Sequence, residues 1–277
     1  LFAKFALQSP EMLSSMRILP AWADFYSDKL DDASPAQGDA MAALVKDSLD
    51  TLHRYDRQAL DAEGRLSYDV LEQFLAIQVE CERFRYHGFP VNQMFGVQSS
   101  LPNFMADTHQ VKSAAEAEAY IARLQLFPRK FAQMLEGLKL REARGVIPPK
   151  FTVDAVLAQM RAFSGVPAQE NMLYTTFRDK LEQIAPQAMS PAARTHLLAR
   201  VASSIDAQVY PAYQELIAYF AALQPKATTN EGAWSLPDGD DYYAWCVRMH
   251  TTTDMTPAQV HTLGLAEVAR IGGEMDA

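Results

Sequence analysis

Apolar residues along this chain recur every three or four positions, and the period-two alternation of a half-buried strand is scarcely seen. Met41, Leu44, Val45, Leu49 and Leu52 fall on one helical face. Leu66, Val70, Leu71, Phe74, Leu75 and Cys81 do the same in the next segment. Four Ser/Thr-Pro pairs, Ser9-Pro10, Ser34-Pro35, Ser190-Pro191 and Thr256-Pro257, each offer a capping oxygen followed by a proline whose missing N–H costs nothing in a first turn. They predict helix starts. Ser113 and Glu116 have the spacing of a capping box ahead of Ala117, Tyr120, Ile121 and Leu124. Pro128 is expected to kink or break that helix before Phe131, Met134, Leu135 and Leu138 resume the stripe. A helix opened by Thr152, another over residues 172–184, and a long one over 191–223 kinked at Pro211 complete the middle of the chain.

The pattern fails in two places. Residues 87–108 and 226–241 are broken up by glycine, proline and serine, and irregular segments of that length in a helical protein tend to be functional or ordered against something. No repeat and no low-complexity linker divides the rest, with residues 145–149 the one plausible boundary. The expectation is an all-α, multi-helical single domain spanning 1–277, with kinked long helices and two irregular loop segments.

Composition narrows the function classes. With 25 Lys+Arg against 34 Asp+Glu the formal charge is −9, which disfavours nucleic acid and anionic membrane surfaces as partners. No apolar run approaches the ~20 residues of a membrane span. Cys81 and Cys246 are too few for a disulfide framework and read as two buried thiols rather than a bridge.

Candidate chemistry is sparse. His53, His87, His109, His196, His250 and His261 include no pair at a spacing of three or four and none followed by glutamate, so no helix-borne zinc pair is encoded. Asp238, Asp240 and Asp241 lack the further oxygen ligands of a calcium loop and suit a helix N-terminus better. Tyr242, Tyr243, Trp245 and His250 follow on one predicted helix, either as core or as the wall of a peptide-binding cleft. Asn92 and Gln93, with Asp107 and His109 beyond them, form the other polar concentration, able to bind an extended backbone or to tie down their own loop. No nucleophile elbow, phosphate loop or dinucleotide fingerprint occurs.

Several long segments carry a family resemblance. "RLSYDVLEQFLAIQ" (65–78), "HGFPVNQMFGVQSSLPNFM" (87–105), "AEAYIARLQLFPRKFAQMLEGLKLREARGVIPPKF" (117–151), "VYPAYQELIAYF" (209–220) and "LPDGDDYYAWCVRMHTTTDMTPAQVHTLGLAEVARIGGEM" (236–275) resemble, in the same order, the bacterial domain-of-unknown-function family 885. Its members are roughly twice as long, often exported or lipid-anchored, and zinc-peptidase-like, with an H-E-x-x-x-x-H-type or H-E-x-x-H-type signature in the second half. That signature is absent here.

The resemblance implies that the chain is the N-terminal half of a metallopeptidase-like hydrolase of the cell envelope or periplasm. It would form one wall of a cleft for a peptide-like substrate, with no catalytic residue, metal ligand or cofactor of its own. Zinc and the general base would lie in a missing C-terminal half. Asn92, Gln93, Tyr242, Tyr243 and His250 are then the candidate substrate-binding residues. The chain opens at Leu1 rather than methionine, with Phe2 and Phe5 already of core type. Its last helix, capped by Thr256, Pro257 and Gln259, is still apolar at Val260, Leu263, Val268, Ile271 and Met275, so self-association is expected in the absence of that partner. The rival reading is an autonomous helical binding or scaffold module, and a cytoplasmic location is not excluded by the residues themselves.

Overall fold

The computed structural model describes residues 2–19 and 24–276; Leu1 lies outside them. The described residues form α-helices joined by short 3-10 and π turns, with no strand among them, so the all-α reading holds. In chain order the helices are α1 (Phe2–Ala6), α2 (Pro10–Met16), α3 (Pro35–Leu52), α4 (Ala62–Cys81), α5 (Val97–Asn103), α6 (Ala114–Gln125), α7 (Phe127–Ala143), α8 (Lys150–Ser164), α9 (Met172–Glu182), α10 (Pro191–Ser204), α11 (Tyr210–Leu223), α12 (Gly239–Thr251) and α13 (Pro257–Met275).

All four Ser/Thr-Pro pairs start helices. The hydroxyls of Ser9, Ser34 and Ser190 accept the amides of Met12, Gln37 and Ala193, and Thr256 with Gln259 makes a reciprocal capping box. Ser113 caps α6 through the Glu116 amide, but the Glu116 carboxylate turns to the amide of Lys112, one residue outside the expected box. The prolines act as their chemistry requires. Pro128 is the second residue of α7, and the break falls at Leu126. The expected kink at Pro211 takes the form of a π turn, Ile205–Val209, between α10 and α11, wide enough to relieve the clash of the proline ring with the preceding turn.

Two boundaries and one burial differ from expectation. Residues 87–108 are irregular only to Gly96; α5 and a π turn, Phe104–Thr108, follow. Their stripe is just Val97, Leu101 and Met105, all buried, and Pro102 inside so short an element hides it. The helix expected from Thr152 begins at Lys150, whose amide donates to the Thr228 carbonyl, leaving Thr152 buried in the first turn. Phe2, read as core-type, is exposed.

Contacts divide the chain into two compact units. The first comprises Leu1–Met41, Phe89–Ala143 and Ile147–Thr229; the second Ala42–Gly88, Arg144–Val146 and Asn230–Ala277; α3 contributes to both. In the first unit α11 lies against α7 and α8, and α10 against α6 and α9. Its core is aromatic: Tyr213 sits with its ring centroid 5.0 Å from Phe131 and 4.5 Å from Phe163, and Tyr120 lies 4.8 Å from Phe177. Burial of side chains this large is worth several kcal/mol each, enough to dominate the unit's stability.

The second unit is built differently. Leu75 is the one buried side chain of α4, and α13 buries none. Leu66, Val70 and Phe74 on α4 keep the predicted helical spacing and remain exposed. What α4 and α12 (Gly239–Thr251) share is a polar and aromatic interlock. Gly239 is obligatory at the head of α12, since a Cβ there would lie 2.2 Å from the Ala233 carbonyl oxygen.

Candidate functional site

In the first unit the buried polar centre is Arg123, which interrupts the apolar face of α6. Its Nε donates to the Lys29 carbonyl at 2.8 Å, one terminal nitrogen to Ser14 Oγ at 2.6 Å and the Tyr26 carbonyl at 3.1 Å, and the other to His109 Nδ1 at 2.7 Å. The guanidinium also stacks 4.9 Å over the Phe104 ring. His109 Nε2 must carry the proton, because it faces the Glu116 carbonyl at 3.1 Å, so Nδ1 is left to accept from the arginine. Burial, reinforced by the Arg123 charge, pushes the His109 pKa down to about 3, and the ring is neutral at physiological pH. Arg123 itself is lowered to about 10 by burial against the raising field of Glu11, Asp24, Asp28 and Asp31, and stays a cation. Lys180 Nζ closes the next turn by donating to the carbonyls of Met105 and His109. A polar cavity of about 200 Å³ opens beside this cluster, with Arg17, Asp24, Lys112 and Glu116 on its walls. Four of the five guanidinium donors are spent on the protein's own atoms, so the cluster acts chiefly as a buried fastener of α2, the 24–31 segment and α6.

Asn92 and Gln93 lie in the same unit, on the loop before α5. The Asn92 side chain folds back on its own loop: Oδ1 accepts the amides of Met94 and Phe95, each at 2.9 Å, and Nδ2 donates to the Phe89 carbonyl at 2.8 Å. Gln93 contributes its carbonyl to Gln159 Nε2, and the Gln159 side-chain oxygen accepts from the buried Gln98. The result is a fastened loop that projects Met94 and Phe95 into solvent, 69% and 81% exposed.

Tyr242, Tyr243 and His250 belong to the second unit. There Tyr242 joins Phe84, His87 and Trp245 in an aromatic cluster, with its ring 4.8 Å from His87 and 5.5 Å from Phe84. His87 donates through Nε2 to the Pro237 carbonyl at 2.7 Å, holding the loop before α12. Burial raises the Tyr242 pKa to about 12, so its hydroxyl stays protonated. Tyr243 and His250 point from α12 into solvent. Toward the other end of α12, Met249 and Thr252 face Asp69, Val70, Gln73, Phe74, Ile77 and Gln78 of α4 across a groove of about 620 Å³. That size suits a small-molecule or side-chain guest, and its floor is mostly apolar.

The five sequence candidates therefore fall into two sets, Asn92 with Gln93 in one unit and Tyr242, Tyr243 and His250 in the other. The residues that sequence reasoning missed are Arg123, whose signal was a cation inside an otherwise buried stripe, and the α4 groove, whose signal was an apolar face with no polar gap. Among the described residues no three His, Cys, Asp or Glu side chains converge as a metal would require. They do not by themselves fit the zinc that the family resemblance implies.

A search of curated proteins finds no match. Among solved structures the chain is similar to one described as "the putative lipoprotein from Colwellia psychrerythraea", with a TM-score of 0.87 and 22% sequence identity. That likeness shows a shared fold. It covers 99% of this chain and 49% of that one, so the present chain spans about half the length of the protein it matches. The model of the family described as bacterial protein of unknown function (DUF885) matches residues 10–277, and the chain belongs to that family.

Proposed function

We propose that this chain is the non-catalytic helical part of an envelope-associated hydrolase, and that it works by packing against a further segment that completes a substrate cleft. The observation that carries the reading is the pair of apolar stripes left in solvent in the second unit, Leu66, Val70 and Phe74 on α4 and Leu263, Val268, Ile271 and Met275 on α13. A helix of nineteen residues that buries no side chain has little to hold it in water, because propensity alone leaves isolated helices marginal. The length of the matched lipoprotein, about twice that covered here, supports a covering segment of comparable size. The lipoprotein description of that relative supports an envelope location. Peptide-like substrate and a zinc ion held by the completing segment extend the same proposal from the family resemblance. Within it Asn92, Gln93, Tyr242, Tyr243 and His250 position substrate and perform no chemistry.

The test is peptide hydrolysis by the full-length protein, with and without a chelator, for wild type and for alanine variants of those five residues. Positioning groups contact substrate in both ground and transition states, so each variant is expected to raise KM at least as much as it lowers kcat. Altered stability without altered kinetics would assign the five to structure alone. A full-length protein that folds and hydrolyses nothing would favour a second reading, an autonomous binding module whose ligand site is the α4–α12 groove.

A further inference from the structure

We propose that Cys81 and Cys246 are a modification site: they form a reversible disulfide that clamps α4 to α12 within the second unit. The register of the two helices carries the inference. At one end Arg83 pairs with Asp241, and Phe84 stacks against Tyr242 at 5.5 Å. At the other end Ile77 and Met249 line the same groove. Between them Trp245 Nε1 donates to the Ile77 carbonyl at 3.3 Å, and Arg248 pairs with Glu80. The helices thus run antiparallel, and on their facing sides the level midway between the Phe84–Tyr242 contact and the groove walls at Ile77 and Met249 is that of Cys81 and Cys246. Residues three and four apart share a helical face, which puts Cys81 in line with Ile77 and Phe84, and Cys246 in line with Tyr242 and Met249.

A second observation agrees. Both thiols are free and half-buried, and the Cys81 thiol, raised mainly by burial, is raised further by Cys246. Burial raises the Cys246 thiol as well, with Tyr242 offsetting part of that rise, so the exchange calls for alkaline pH.

The chemistry needs an oxidant, and a low-molecular-weight disulfide such as oxidised glutathione supplies it. The Cys246 thiolate attacks one sulfur of that disulfide, breaking its S–S bond and releasing one small thiol. The Cys81 thiolate then attacks the Cys246 sulfur, breaking the mixed disulfide and releasing the second. Two electrons pass from the cysteines to the reagent, and the two protons end on the released thiols. The bond would form one helical turn from Ile77 and Met249, and so would fix the spacing of the groove walls.

The experiment is to treat the purified chain with oxidised glutathione at alkaline pH and digest it under non-reducing, thiol-blocked conditions. A single linked peptide pair holding Cys81 and Cys246, in protein that runs as a single chain on a non-reducing denaturing gel and reversed by dithiothreitol, is the expected result, with both titratable thiols lost. The melting temperature should rise by several degrees on oxidation, because the bridge closes a very long loop. Cys81→Ser and Cys246→Ser should each show no such rise and should stop at one glutathione adduct. Two stable adducts on wild type, disulfide-linked dimers alone, or thiols unreactive in native protein yet reactive in denaturant would each overturn the proposal. The peptide map needs no variant, so a misfolded serine variant leaves the test intact.

Discussion

The hydroxyl of Tyr213, on α11, donates to the carbonyl of Gln98 at 2.5 Å, the carbonyl that Pro102 leaves without its ordinary helical partner. A residue four places after Gln98 would normally supply an amide, and proline has none. A buried tyrosine therefore replaces a backbone donor, and its ring meanwhile fills the centre of the aromatic core. Complete burial also raises its pKa well above the ordinary tyrosine value, so the hydroxyl remains a donor.

Tyr213→Phe keeps the ring and removes the donor, which isolates the hydrogen bond from the packing. The substitution is expected to destabilise the first unit by about 1–3 kcal/mol, the cost of leaving a buried acceptor unsatisfied. Urea unfolding followed by circular dichroism measures it. An unchanged midpoint would mean that the Gln98 carbonyl has another donor in solution.

The His109–Arg123 pair makes a pH prediction. His109 is held neutral with a pKa of about 3, against an ordinary value of 6.5. Between those values the unfolded chain binds a proton that the folded protein refuses, so stability falls as pH is lowered through that window and is unaffected above it. The slope from this one residue is about 1.4 kcal/mol per pH unit. Carboxylates contribute too, so the informative quantity is the difference from His109→Gln, which can still accept from Arg123 and cannot titrate. Its unfolding free energy should depend less on pH between about 6 and 4. Parallel curves for the two proteins would show that His109 titrates normally.

Helix starts were legible because they rest on local chemistry: Ser9, Ser190 and Thr256 cap where they stand, whatever the tertiary context. Pro128 and Pro211 were legible as interruptions, though the π turn before Pro211 was not, since its extra residue is set by how α10 and α11 pack. Less could be read where a pattern is satisfied at long range. Val70 and Phe74 have the spacing of a buried face and are exposed, because periodicity reports which residues share a side and not what covers it. Asn92 was legible as a polar loop residue, yet whether its amide serves a ligand or its own turn depended on the positions of Phe89, Met94 and Phe95. Arg123 finds its partners on α2, the 24–31 segment and the far end of the π turn, up to 109 residues away in sequence, and no local pattern announces such a set.

The tight approach at the head of α12 gives a further expectation. Adding a methyl group in Gly239→Ala would set a Cβ 2.2 Å from the Ala233 carbonyl oxygen and 2.9 Å from the Trp234 Cα, both backbone atoms that cannot rotate aside. The strain should cost about 1–3 kcal/mol and loosen the 3-10 turn Ala233–Ser235 from α12. Limited proteolysis should then cut between residues 226 and 239 faster than in wild type. Equal cutting rates would show that the turn yields without penalty.

The exposed face of α13 leads to the last prediction. Val268 is 71% exposed, Leu263 50%, Ile271 46% and Met275 82%, while Arg270 is paired along the helix with Glu267 and Glu274. Burying one such apolar side chain is worth about 1.5–3 kcal/mol, so four of them amount to a driving force comparable with the whole stability of a typical domain. The isolated chain should therefore self-associate as concentration rises. Val268→Asp with Ile271→Asp places two charges in the middle of the stripe, at positions where the folded monomer buries little. The double variant should be monomeric by multi-angle light scattering and should melt within about 2 °C of the wild-type monomer, since surface substitutions rarely shift stability by more than ~0.5 kcal/mol. Wild type that stays monomeric at high concentration, with the same face reactive to an apolar dye, would show that the exposed stripe alone does not drive association. A double variant that unfolds would instead show that α13 packs more tightly in solution than its exposure implies, and that the covering surface lies within this chain.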